Sequence, residues 1–153
     1  TGVRKITSKH AGHLTEESII ECTMTPGRDA MRLVHARRTR MFLAVIDNVR
    51  LLAVSHAARE VVDAMIRPGI ADAKIFDLME RLYVGLELNA TEPTTLLQVF
   101  LYHLLDALGL KALPKTIPKK EIVPEAVYDH LQAPLVSVGY FSTALGTGLP
   151  SGK

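Results

Sequence analysis

Along this chain the apolar positions change their period once, from every second residue to every third or fourth. Residues 18 to 25, Ser-Ile-Ile-Glu-Cys-Thr-Met-Thr, are rich in β-branched side chains and stop at Pro26-Gly27, the pattern of a strand running into a turn. Ala30 to His35 supplies a returning strand, which predicts a hairpin. Thr1 to Leu14, basic and broken by Gly2 and Gly12, reads as a short strand plus loop. Two or three strands do not make an independent β domain, so these either lean on helices or belong to a larger sheet.

From Met41 to Arg67 the spacing is helical: Phe42, Val45, Ile46, Val49 and Leu52, then Val61, Val62, Met65 and Ile66. Pro68-Gly69 ends that helix. Its middle, Met41 to Ala58, is apolar on nearly every face, which predicts the core helix of a bundle. Asp72 is placed to cap a second helix with Ile75, Phe76, Met79, Leu82, Tyr83 and Leu86 in one stripe. Thr91-Glu92-Pro93 reads as a third helix start with Thr91 as cap. Leu96, Leu97, Phe100, Leu101, Leu104, Leu105 and Leu108 form its stripe, closed by Gly109. Short links between the three predict an antiparallel arrangement. Beyond Leu110 prolines recur, and only Glu125 to Gln132 is expected to form a short helix.

The expected fold class is therefore α+β: N-terminal strands followed by an α-helical domain of about three main helices. A chain of 153 residues holds one domain with part of another, and 48% hydrophobic against 22% charged residues permits a buried core. The divisions expected are 1–38 for the strands, 39–113 for the helices and 114–153 for a Pro- and Gly-rich tail.

Net charge is only +2, but its distribution is uneven. Residues 1 to 40 carry eight Lys or Arg against four acids, whereas residues 41 to 110 carry five against nine. The first part suits a polyanion and the second does not. Arg4, Lys5 and Lys9 sit in a Gly-punctuated segment, Arg28 follows a turn glycine, and Arg37, Arg38 and Arg40 extend the charge toward the first helix. These seven are the candidate nucleic-acid contacts, because cationic side chains beside open backbone N–H groups can track phosphates. The blander reading of such a run is a solvated face, and the first forty positions offer no aromatic stacking residue.

Other chemistry finds little support. The single cysteine, Cys22, excludes an internal disulfide and a multi-cysteine zinc site, and its strand position predicts a buried, inert thiol. His56 and Glu60 share a helix face at the spacing of two metal ligands, without a third; a local hydrogen bond or plain exposure is the expectation, and no metal or other cofactor is expected. His10 and His13, in the basic loop, suit phosphate or solvent. Residues 146–153 imitate a phosphate loop, yet Thr147 stands where its first glycine belongs and no Ser or Thr follows Lys153. No nucleophile elbow, Ser-His-acid order or paired-carboxylate motif appears, so no enzyme activity is expected. The absence of any long apolar run argues against a membrane span and for the cytoplasm.

The order of residues adds a resemblance. Gly2-Val-Arg-Lys5, Ser8-Lys9, Gly12-His-Leu14, a short strand and Gly27-Arg28 resemble the second half of the OB domain of the bacterial RecO family. Ala57-Ala-Arg-Glu60, Asp72-Ala-Lys-Ile-Phe-Asp-Leu78, Phe100, Leu104-Leu105 and Leu108-Gly-Leu110 are similar to its helical domain. The resemblance spans residues 2 to 113. It implies a partial OB-fold whose first strands lie upstream of Thr1, and a non-catalytic DNA repair and recombination mediator in the bacterial cytoplasm, associated with the nucleoid. It further implies binding of single- and double-stranded DNA, annealing of complementary strands, and partnership with RecR and the C-terminal tail of single-strand-binding protein (SSB) during RecA loading. By position, Arg4, Lys5, Lys9 and Arg28 become the foremost phosphate contacts. The four-cysteine zinc module of many relatives is replaced here by Lys111 to Lys120, without cysteine. The alternative is a small helical protein–protein adaptor that does not bind DNA.

Overall fold

The computed structural model describes residues 16–28, 31–67, 72–111, 114, 116 and 123–129. Among the described residues two strands, β1 (Ser18–Pro26) and β2 (Met31–Met41), precede five helices: α1 (Leu43–Asp47), α2 (Val49–Met65), α3 (Ala73–Glu87), α4 (Pro93–Ala107) and α5 (Glu125–Tyr128). The α+β class is as expected. The chain divides into two compact units, Thr1–Leu43 and Ala44–Lys153.

In the first unit, β1 and β2 form an antiparallel two-stranded ribbon. The returning strand runs well past His35 to Met41, so the boundary expected after Arg38 falls inside a strand. Below the last register pair, Ser18 and Met41, the ladder gains one more bond, from the N–H of Phe42 to the carbonyl of Glu17 at 3.0 Å. Glu17 makes that turn with φ 54, a left-handed conformation.

The helical stretch expected from Met41 to Arg67 is not one helix. It begins at Leu43 and breaks at Asn48, whose extended backbone (φ −122, ψ 111) and side chain, accepting from the N–H of Arg50 at 2.9 Å, start a new helix. Asparagine favours that role because its short amide competes with the helical bond for a backbone donor.

Asp72 caps α3 as expected, accepting from the N–H of Lys74 at 2.8 Å and of Ile75 at 3.4 Å. Thr91 does not cap α4: Glu92 occupies the N-cap without a side-chain bond, and Pro93 opens the first turn with the φ a helix needs. Two helices end on a left-handed residue. Asn89 (φ 46) follows α3 and lets Ala90 N–H reach the Gly85 carbonyl at 3.1 Å; Gly109 (φ 71) follows α4 and lets Leu110 N–H reach the Leu105 carbonyl at 2.9 Å.

The core of the second unit centres on α4 rather than on α2. α4 packs against α3, α2 and α5, and buries Leu97, Phe100, Leu101, Tyr102, Leu104 and Leu105. Full burial of a leucine or phenylalanine contributes about 1.5–3 kcal/mol. α2 buries Leu51, Val54 and Val61 but also the small Ser55, Ala57 and Ala58, so its share is smaller. The apolar excess of residues 41 to 58 ends partly in solvent: Leu43 is 56% exposed and Val49 70%. Val127 on α5 is fully buried, so this piece of the expected tail joins the helical core.

Candidate nucleic-acid interface

The ribbon owes its charge pattern to two β-bulges. Ile19 faces Arg40 while Ile20 faces Arg38, so Thr39 has no register partner; Thr23 faces His35 while Met24 faces Leu33, so Val34 has none. Both extra residues lie on β2, which accounts for its 11 residues against 9 on β1. The first is pinned by the Thr39 hydroxyl, which donates to the Ile19 carbonyl at 3.1 Å.

Residues directly opposite in the register share a face, and successive residues of β1 alternate faces. One face therefore carries Ile19, Glu21, Thr23 and Thr25 opposite Arg40, Arg37, His35 and Arg32. The other carries Ser18, Ile20, Cys22, Met24 and Pro26 opposite Met41, Arg38, Ala36, Leu33 and Met31. The first face is polar, cationic and exposed at every position but half-buried Ile19. On the second, largely apolar, Ala36 is buried and Ile20, Leu33, Arg38 and Met41 are half-buried.

Without the bulges the basic residues would scatter. Positions 32 and 40 are even while 35 and 37 are odd, so strict alternation would put them on opposite faces. Each bulge absorbs one residue and restores the phase.

Within the cationic face Arg37 Nη2 lies 2.7 Å from Glu21 Oε2, a cross-strand ion pair with both side chains about two-thirds exposed (65% each). The hydrogen bond from Arg37, its charge, and the nearby His35 hold the Glu21 carboxyl below the usual carboxylate range. Arg40 stacks its guanidinium 5.0 Å from the centre of the Phe42 ring, which orients it. Among the described residues the face thus sets three arginines and a histidine against one carboxylate.

Of the seven predicted contacts, Arg37 and Arg40 come together on this face. Arg38 points from the opposite one, and Arg28 is exposed just past the turn glycine at the ribbon's far end. Arg4, Lys5 and Lys9 lie outside the described residues. Arg32 and His35 join them without a signal in the sequence, because their 3-2-3 spacing with Arg37 and Arg40 has no period until the bulges are known. Cys22, expected to be buried, is exposed on the apolar face, since a two-stranded ribbon covers little of its own surface. His56 is exposed and Glu60 half-buried, one turn apart on α2. Residues 146–153, the phosphate-loop imitation, lie outside the described residues. Among the described residues no helix is long and apolar enough to cross a membrane.

No family model, curated protein or solved structure matches this chain.

Proposed function

We propose that this chain binds DNA through the cationic face of its β-ribbon and serves as a non-catalytic recombination mediator that brings complementary strands together. The observation that carries the reading is the collection of Arg32, Arg37 and Arg40, with His35, on one exposed face by two bulges. A two-stranded ribbon presents such side chains to phosphates without needing a pocket, and guanidinium is the cation best matched to phosphate geometry. The resemblance to RecO supports the cellular assignment and, with it, RecR and the SSB tail as protein partners of the more acidic helical unit.

The mechanism follows from charge. Two DNA strands repel, and a protein face that neutralises the phosphates of one strand lowers that repulsion, so that its bases can pair with the other; released counterions supply most of the affinity. The test is the annealing rate of two complementary dye-labelled oligonucleotides at low and near-physiological salt. Acceleration that fades with salt, and that an Arg32→Ala, Arg37→Ala, Arg40→Ala protein lacks, supports the reading. A folded wild-type protein that neither binds nor anneals DNA at low salt overturns it and leaves the helical adaptor.

A further inference from the structure

On β1 the partners of the four basic residues are Ile19, Glu21, Thr23 and Thr25, every second residue. Arg40, Arg37, His35 and Arg32 therefore recur at one constant step, although in sequence they are three, two and three apart. A step of two strand residues is about 6.8 Å, so the row is about 20 Å long. A nucleotide rises about 3.4 Å along one strand of a duplex, and a strand pulled out of its stack to roughly twice that spaces its phosphates as the ribbon spaces its cations. A duplex turns its phosphates off such a line within a few nucleotides. The ribbon's own coiling is better followed by a flexible single strand.

We infer that Arg32, His35, Arg37 and Arg40 form a row of four registered positions for four consecutive phosphates of one extended nucleic-acid strand, in which His35 is the contact that depends on pH. This rests on the proposed DNA-binding reading and deepens it. Imidazole ordinarily changes charge between about pH 5 and 8, whereas guanidinium does not. Among the described residues the charged groups facing His35 are Glu21, diagonal to it on β1, and Arg37 and Arg32 on its own strand; Thr23 stands opposite and Thr25 on the other diagonal. A phosphate laid across the row favours the imidazolium over the neutral ring. Binding the strand and protonating His35 are then linked, each promoting the other.

The first test uses the full chain and a fluorescein-labelled oligothymidylate of about fifteen nucleotides, with affinity read by anisotropy across a salt series at pH 6.0 and pH 8.0. The slope of log K against log salt is expected to steepen by about 0.7 at the lower pH, the value of one added phosphate contact on a single strand. His35→Gln should give the shallower slope at both pH values, and His35→Arg the steeper slope at both. A pH difference that survives in His35→Gln, or a wild-type slope equal at both pH values, overturns the role of His35. The register is tested with strands carrying neutral methylphosphonate linkages. Four consecutive charged linkages should bind more tightly, and with about twice the slope, than the same four charges at alternate linkages. Equal slopes overturn the row. Absence of any binding by wild type at low salt instead overturns the DNA-binding reading itself.

Discussion

The carboxylate of Glu87, in the last turn of α3, accepts a hydrogen bond from the backbone N–H of Ala44 at 3.0 Å, with a longer one from Val45 at 3.4 Å. Those two donors belong to the first turn of α1 and have no carbonyl of their own helix to bond. A side chain 43 residues away thus does the work of an N-cap. Glu87→Ala should lower the unfolding free energy in urea by about 0.5–2 kcal/mol, the usual cost of removing a cap, and Glu87→Gln, which keeps an acceptor oxygen, by less.

A second close contact is the approach of α3 to α4 at Gly85. A Cβ there would meet the Leu96 Cδ2 at 3.2 Å, tighter than ordinary contact but against the mobile end of a side chain. Replacing a helix-interior glycine by alanine gains about 0.8–1 kcal/mol of helix propensity, and less in the last turn, where Gly85 lies, so the gain and a small shift of Leu96 roughly offset. Gly85→Ala should leave the unfolding free energy in urea within about 1 kcal/mol of wild type. Gly85→Val, which adds two further methyl groups to the same gap, should destabilise by about 1–3 kcal/mol through overpacking.

The Glu21–Arg37 pair makes opposite predictions for binding and for pH. Glu21→Gln removes the carboxylate paired with Arg37 on the cationic face, so affinity for a single strand at low salt should rise. The folded-state pKa of Glu21 is depressed, so whatever stability the pair adds is present above the ordinary value of 4.5 and is lost as pH falls through the lower folded value. Both side chains are exposed, so the effect on stability is small. A carboxyl-resolved NMR titration should show Glu21 titrating below its ordinary range in wild type and within it in Arg37→Ala.

Exposure of Cys22 is checked by chemistry. In the folded protein a small disulfide reagent should label this thiol at the rate of an accessible cysteine, without added denaturant. Labelling that waits for urea would show that the apolar face of the ribbon is covered.

The helical half was largely legible in the sequence because its stripes come from local spacing. Ile75, Leu82 and Leu86, like Leu97, Leu101 and Leu105, can share one side only if the chain is helical, and Asp72 and Gly109 mark ends through bonds that span a few residues. The same local logic identified the strand, the turn glycine and the concentration of positive charge before residue 41. Tertiary structure alone decided the rest. Which helix is central depends on how many neighbours it meets, so the apolar run at 41–58 reads as the centre of a core to which it does contribute Leu51 and Val54, but whose larger share comes from Leu97 to Leu105. A cap donated by Glu87 to Ala44 leaves no trace in either local segment. The basic face is the clearest case: spacing of 3-2-3 is aperiodic in one dimension, and only cross-strand pairing, which leaves Val34 and Thr39 without register partners, turns it into a row. Charge was written in the sequence; its direction was set by the register of a second strand.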